Sequence, residues 1–377
     1  MVETLGKYIS EYSVKNKNGA DIPVYSVSNE RGFCRDYFNK DVSSKDKTTY
    51  KIVPRGFFAY NPSRINVGSV DWQNKEELVI VSPLYVVFTT KGLDNDYLLY
   101  YLKSDALMSY IRVYSAGSVR NNLRFKTLAS FPVRVPSLEC QKEIVGELNC
   151  ITHIIQQRKL QLKELDKLVE SVFFQMFGDP IANEKQWDVA ALEEMVTSDC
   201  SISYGIVQPG EGEEEGVPII RPVDLISTVT HNVDLKKTTP EISNAYKRTI
   251  LKGDELLLCV RGTTGVVSLA GDDLAGCNVS RGISPLAFPD GISKWFMLYQ
   301  FKTSGIQHII AELTHGIALK GINMADVRKL QMINPPSELQ TEFEKKSIAI
   351  YEQRLRIEES IQQLECLLNS RMDHWFN

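Results

Sequence analysis

The chain has 377 residues, room for two domains with ample core, and its 43% hydrophobic and 24% charged residues are ordinary for a soluble folded protein. No apolar run approaches the roughly 18 residues that a membrane span needs. Seven scattered cysteines without a Cys-x-x-Cys pair argue for a reducing cytosol and against zinc or a disulfide framework, and a net charge of −4 leaves any nucleic-acid role to local basic patches or basic partners.

The start, Met1-Val2-Glu3-Thr4, has neither the basic region nor the apolar core of a secretory signal. Residues 1–135 read as a mixed globular domain. A short amphipathic stretch (5–12) gives way to an Asn-Gly turn ending at Gly19. Strand-like runs follow at 22–27, 50–53, 57–60, 78–82 and 85–89. Residues 40–66 carry six basic side chains (Lys40, Lys45, Lys47, Lys51, Arg55, Arg64) against Asp41 and Asp46. Asp94-Asn95-Asp96 is placed to cap a helix predicted over 97–114. A polar, basic loop at 117–124 and an apolar return at 128–135 complete the domain.

Residues 136–178 form a different kind of element. Ile144, Leu148, Ile151, Ile155, Leu162, Leu165, Val169, Val172 and Met176 alternate steps of four and three, with Arg158 in the one gap. Such a seam predicts a helix packed lengthwise on another helix. Forty residues at ~1.5 Å each make a rod of roughly 60 Å. Pro136-Ser137 starts it and Gly178-Asp179-Pro180 stops it.

Residues 179–334 repeat the plan of the first domain. Leu192 to Met195 opens them and 218–220 is a strand. The Gly-bounded segment 253–265 lies opposite 56–68, matching Arg261 to Arg64 and Gly265 to Gly68. A helix predicted near 296–311 mirrors the one at 97, with Lys302 facing Lys103, and Gly316 matches Gly117. The acidic run 211–215 has no counterpart and reads as a solvated loop.

Residues 335–377 are a second rod. An offset of 199, the separation of Pro136 from Pro335, also lays Gln141 on Gln340, Ile151 on Ile350, Leu165 on Leu364 and Phe177 on Phe376. Its seam reads Phe343, Ser347, Ile350, Arg354, Ile357, Ile361, Leu364, Leu368, and Ser337 with Gln340 has capping-box spacing. Arg158 stands where the second copy has Ile357, and Arg354 where the first has Ile155. These arginines either fix the pairing register or snorkel off the seam's edge. The expected fold is α+β: two mixed α/β globular domains joined by two long antiparallel coiled-coil helices, in a pseudo-two-fold internal repeat.

Catalytic constellations are thin. Asn334-Pro335-Pro336-Ser337 looks like the Asn-Pro-Pro-aromatic motif of adenine methyltransferases, but serine replaces the aromatic and no Gly-rich loop precedes it. It reads as a helix start. The five histidines lack metal spacing, and neither a Walker loop nor a Gly-x-Ser-x-Gly elbow is present. Binding signals are better. Arg64, with Asn61, Ser63 and Asn66, and Arg261, with Thr263 and Thr264, occupy equivalent loops. Arginine bridges guanine O6 and N7 and asparagine pairs with adenine, so these loops suit readout of base edges. Arg120, Asn121 and Arg124 suit phosphates or bases, and Lys320 lies in the matching stretch of the second half. A turn residue or surface ion pair is the plainer reading of any one arginine; the paired occurrence brings binding level with it.

Two stretches carry a family resemblance: Pro-Ser-Leu-Glu-Cys-Gln-Lys-Glu-Ile-Val at 136–145 and Pro-Pro-Ser-Glu-Leu-Gln-Thr-Glu-Phe at 335–343. Each opens a long helix after a globular domain. With the segments at 60–68 and 253–265, they make the whole chain resemble the specificity subunit of type I restriction–modification enzymes. Ser137 departs from the usual second proline. The resemblance implies target-recognition domains at 1–135 and 179–334, and spacer helices at 136–178 and 335–377. Each domain reads one half of a gapped, asymmetric DNA target while the helices set the gap. It also implies two methylation subunits bringing S-adenosylmethionine, restriction subunits bringing ATP and Mg, a cytoplasmic setting, and no cofactor or catalysis in this chain. The competing readings are a protein-binding coiled-coil scaffold, and a methyltransferase or nuclease with an unrecognised site.

Overall fold

The computed structural model describes residues 2–35, 46–116, 122–200, 202–210, 212, 215–316 and 320–376. The chain divides into two compact units, Met1–Lys159 with Glu359–Asn377, and Leu160–Glu358, so the division falls inside each long helix.

In the first unit a four-stranded sheet runs in the order Ile9–Tyr12, Val86–Thr90, Phe58–Tyr60, Val70–Trp72, all antiparallel. Phe58 faces both Trp72 and Phe88 across the ladder, and Phe58, Tyr60 and Phe88 are fully buried. The stretch at 5–12 is a single turn of 3-10 helix, Leu5–Lys7, followed by the edge strand. Val2–Thr4 pairs with Pro132–Arg134, which brings the two ends of the domain together.

The second unit keeps the same hairpin. Leu256–Cys259 pairs with Val267–Ala270 and with Ile283–Leu286, and Leu256 faces both Leu269 and Leu286. Its fourth strand differs: Val229–Thr230 joins Val267–Ala270 in parallel, on the opposite edge. Val189–Ala191 pairs with Gln331–Ile333 as Val2–Thr4 pairs with Pro132–Arg134. The repeat that is faint in the globular sequences is therefore clear in their strand pairings.

The helix expected over 97–114 is two helices, Asn95–Lys103 and Asp105–Ala116. Ser104 between them is extended (φ −67°, ψ 148°), and its hydroxyl donates to the Tyr101 carbonyl at 2.8 Å. The second unit breaks the same way, into Lys294–Lys302 and Ser304–Glu312, with Thr303 donating to the Gln300 carbonyl at 2.7 Å. A short hydroxyl side chain that bonds its own backbone competes with the helix, which is why both breaks sit at Ser or Thr.

The long helices run Leu138–Phe177 and Ser337–Phe376. Ser137 Oγ accepts from the Cys140 N–H at 3.3 Å. At the far end Gly178 is left-handed (φ 76°) and its N–H reaches the Phe174 carbonyl at 2.8 Å. Within the first unit, Ile144 and Leu148 share a core with Leu368, Met372, Trp375 and Phe376. Glu147 there takes both the Arg371 guanidinium and the Trp375 indole N–H, and Lys159 pairs with Glu365 at 2.7 Å. Within the second unit, Val169, Phe173 and Phe177 share a core with Phe343, and Arg354 pairs with Asp166 at 2.5 Å. In each unit the numbers rise along one helix as they fall along the other, so the helices pack antiparallel.

Two expectations for the helices change. Beyond Val169 the fully buried positions are Phe173 and Phe177, while Val172 and Met176 lie at the edge of the core. The aromatic pair faces both the domain helix, through Phe296, and the other long helix, through Phe343. Arg354 reaches Asp166 on the other long helix and, at 3.0 Å, Glu358 on its own, which fits either reading of its role. Gln340 closes no capping box with Ser337. It is buried, accepts from the Ser293 N–H at 3.0 Å, and donates to the Pro335 carbonyl at 2.8 Å and to Asn334 Oδ1 at 3.0 Å.

Gln141 does the same in the first unit. Fully buried, it accepts from the Asp94 N–H at 2.8 Å and donates to the Pro136 carbonyl at 2.9 Å. Asp94 and Ser293 are the N-caps of the equivalent domain helices. Each glutamine thus fastens the first turn of a long helix to the start of a domain helix. Gln141→Leu keeps the bulk but removes the partner of a half-buried N–H and a half-buried C=O, at up to about 1–3 kcal/mol for each such group. A urea titration is expected to show the first unit destabilised by at least about 2 kcal/mol, and an unchanged midpoint would show that the clamp is dispensable.

Candidate nucleic-acid interface

The tip of the first hairpin starts at Asn61, whose Oδ1 accepts from the Ser63 N–H at 3.1 Å and the Ser63 hydroxyl at 2.8 Å. This turn uses the Asn61 carbonyl oxygen and the Ser63 hydroxyl hydrogen, which weakens the case for both as readers of bases. The Arg64 N–H bonds the Asn61 carbonyl at 2.9 Å, one 3-10 turn follows over Ile65–Val67, and Ile65 is buried beneath it. Gly68 ends the turn with φ 82°, and a Cβ there would meet Asn29 Oδ1 at 2.4 Å, so only glycine fits. Arg64 is left exposed at the tip and Asn66 half-buried beside it.

A second segment is tied to this tip. The Leu123 N–H donates to the Pro62 carbonyl at 3.0 Å, and the Tyr60 hydroxyl donates to the Leu123 carbonyl at 3.1 Å. Burial pushes the Tyr60 phenol up, so it stays protonated and keeps donating. Arg124, exposed at the head of the short helix Phe125–Ala129, therefore lies on the chain beside the Arg64 loop. Arg120 and Asn121 fall outside the described residues, as do Lys40, Asp41 and Lys45 of the basic stretch. In the rest of that stretch, Lys51 donates to the Tyr85 carbonyl at 2.6 Å and Arg55 lies 3.6 Å from Glu77, so part of its charge is committed within the domain.

The second hairpin tip is more built. Val260 and Arg261 both bond the Gly282 carbonyl through their N–H groups, and the Gly262 N–H bonds the Lys320 carbonyl at 2.9 Å. Arg261 also pairs with Gly321 in an isolated bridge, so Lys320 is drawn to the Arg261 loop. The Arg261 guanidinium lies 5.6 Å from the centre of the Tyr204 ring, a cation–π distance. Its Nε is buried with no hydrogen-bond partner among the described residues. Thr264 is paired with Thr314, their hydroxyls 3.0 Å apart, and Thr263 lies 3.5 Å from Cys259 Sγ. Burial raises the Cys259 thiol, which stays protonated and donates to the Arg261 carbonyl at 3.1 Å.

The two hairpins share a glycine before the first strand and another in the tip. Gly56 and Gly68 have φ 84° and 82°, and Gly253 and Gly265 have φ 93° and 89°. They differ in the arginine, which is exposed in the first unit and half-buried on a tyrosine in the second. Tyr204 has no signal in the sequence. It is brought in by its hydroxyl on the Ile322 carbonyl (3.0 Å) and by Arg328 on the Ile202 carbonyl (2.7 Å). Asn334, singled out in the methyltransferase-like motif, is held by Gln340. Among the described residues no cluster of three or more His, Cys, Asp or Glu side chains is placed to hold a metal, and no helix is long and apolar enough to cross a membrane.

Each unit carries a glycine-framed hairpin and a segment of both long helices, which defines the class of fold: a duplicated α+β domain paired with long helices. Residues 1–164 match the family model of the type I restriction modification DNA specificity domain, and the chain is similar to type I restriction enzyme specificity subunits. It is 19% identical over 336 residues to the EcoBI specificity subunit of Escherichia coli, covering 81% of this chain and 70% of that protein. It is 25% identical over 190 residues to the MjaIX specificity subunit of Methanocaldococcus jannaschii, covering 48% of this chain and 44% of that one. In fold it is similar to the S subunit of a type I restriction-modification system from M. genitalium, with TM-score 0.56, 13% identity, and coverage of 100% of this chain and 96% of that one. A chain from a structure of a type I R-M system gives TM-score 0.60 and 16% identity, over 100% of this chain and 97% of that chain.

Proposed function

We propose that this chain is the DNA-recognition subunit of a type I restriction–modification complex, each unit reading one half of a gapped, asymmetric target. The observation that carries this reading is the pair of glycine-framed hairpin tips, each presenting an arginine, in a chain whose first 164 residues match a DNA specificity domain. Arg64 offers two parallel donors to a guanine edge, and Asn66 beside it suits a neighbouring base. Arg261 is pre-positioned on Tyr204, and its unpaired Nε gains a partner when an acceptor arrives. Arg124 and Lys320 serve phosphates, together with Arg120 and Asn121, which lie outside the described residues.

The long helices space the half-sites and dock two methylation subunits, with restriction subunits joining the complex. S-adenosylmethionine, ATP and Mg sit on those partners, and this chain performs no catalytic step. Phosphate contacts from partners reconcile a net charge of −4 with DNA binding.

The test is Arg64→Ala in the assembled complex, read by methylation across a library of half-sites. One half-site is expected to lose discrimination by about 10- to 100-fold, corresponding to about 1–3 kcal/mol for one bidentate contact, with the other half unchanged. Arg124→Ala is expected to weaken all sequences alike. Loss at both halves from Arg64→Ala, or none at either, would remove Arg64 from the reading.

A further inference from the structure

Beside the second hairpin tip, backbone segments from separate parts of the chain are drawn together. The Val260 and Arg261 N–H groups bond the Gly282 carbonyl at 2.8 and 3.2 Å. The Arg281 N–H bonds the Ile206 carbonyl at 2.7 Å, and the Ser280 N–H bonds the Ile220 carbonyl at 2.8 Å. Glycines allow the approach: a Cβ on Gly205 would lie 2.2 Å from the Val279 carbonyl oxygen, and one on Gly282 would lie 2.5 Å from Pro222 Cγ. The segments 204–206, 220–222, 260–262 and 280–282 therefore meet at one junction, and the Gly262–Lys320 bond brings in a fifth.

The junction gathers positive charge. Arg261 lies on Tyr204, and Lys320 is exposed on the segment bonded to Gly262. Arg281 is exposed, immediately before the glycine that accepts from Arg261, and its side chain has no hydrogen bond or ion pair among the described residues. Asp224, two residues after Pro222, is already committed: its carboxylate takes Arg221 Nε at 3.1 Å and Nη2 at 2.9 Å. Cations on neighbouring segments without a counter-charge repel one another, and a phosphate backbone relieves that repulsion.

Arg261 and Arg281 suit different work. The Arg261 guanidinium is held on a ring, and a fixed fork suits a base edge. Nothing among the described residues fixes the Arg281 guanidinium, and a phosphate tolerates that freedom because it accepts charge from several directions. Counting along the paired strands, with Tyr60 opposite Val86 and Leu257 opposite Pro285, puts Ser82 at the matching position of the first unit, which carries no charge there.

We infer that Arg281 is a phosphate-anchoring residue of the second unit, gripping the DNA backbone beside the half-site that Arg261 reads. It positions the duplex and adds no sequence preference of its own. Arg281 has this role only where the second unit reads DNA, the function proposed above.

The test compares Arg281→Ala and Arg281→Lys with wild type in the assembled complex. Affinity is measured over a range of salt, for duplexes carrying the methylated target or single base changes in the second half-site. Arg281→Ala is expected to weaken every duplex alike, by about tenfold at low salt. It is also expected to reduce the slope of log affinity against log salt by about 1. Arg281→Lys is expected to restore both, because a point charge satisfies a phosphate. Arg261→Lys is expected instead to lose discrimination at one base pair, since lysine lacks the two-donor fork. The Arg281 side chain is exposed and unbonded among the described residues, so neither of its variants should move the thermal unfolding profile. An unchanged salt slope in Arg281→Ala, or a loss confined to one base pair, overturns the anchoring role and leaves the proposed function standing. A wild-type complex that prefers no sequence overturns both.

Discussion

Phe177→Ala is expected to destabilise the second unit by about 3–5 kcal/mol, the range for emptying a fully buried phenylalanine site. The ring is fully buried and packs on Phe173 at 5.1 Å, Phe296 at 4.7 Å and Phe343 at 5.5 Å. These contacts draw on both long helices and a domain helix, so local collapse cannot refill the space cheaply. Denaturant unfolding of the full chain should show the second unit losing most of its stability. Val172→Ala supplies the contrast. Val172 sits on the expected seam but only at the core's edge, and its truncation is expected to cost less than about 1.5 kcal/mol. Equal losses from the two variants would mean that the helix is held by its seam and not by its aromatic end.

Inserting four residues, about one helical turn, into both long helices is expected to move the methylated target to a longer gap with both half-sites intact. The insertions belong between Lys159 and Leu160 and between Glu358 and Glu359, where the two units divide. There they spare the Glu147–Arg371 and Lys159–Glu365 pairs of one unit and the Asp166–Arg354 pair of the other. One such insertion lengthens the helix by ~6 Å and rotates its distal half by about 40°. One base pair advances ~3.4 Å and turns by about 35°. The gap should therefore grow by about one or two base pairs, and the original target should fall to non-specific binding, ~10³-fold weaker or more. Genome-wide methylation mapping of a host carrying the variant reads this directly. A gap that stays the same would remove the spacing role from the helices.

The loops show how far local sequence carries. Gly56, Gly68, Gly253 and Gly265 bracket matching segments in the sequence, and all four adopt positive φ, as tight turns at hairpin ends require. The arginines inside those brackets are legible as candidates. Their surroundings are not: Tyr204 reaches Arg261 through bonds to Ile322 and from Arg328, more than a hundred residues away in sequence. Likewise Leu123 is recruited to Pro62 across a sheet end that no pattern in either segment announces.

By itself, the sequence determined that two long helices exist, where they start and where the first one stops, and that a 199-residue repeat organises the chain. Periodicity, a capping serine at 137 and a terminal glycine at 178 act over a few neighbouring residues, so they can be read locally. Only the tertiary structure decided which face of each helix is deepest, where Gln141 and Gln340 aim their amides, and where the domain helices break. Each glutamine meets an N–H that lies 47 residues away. Burial and hydrogen-bond partnership depend on what the fold brings alongside, and a buried amide is satisfied by geometry that spacing does not encode.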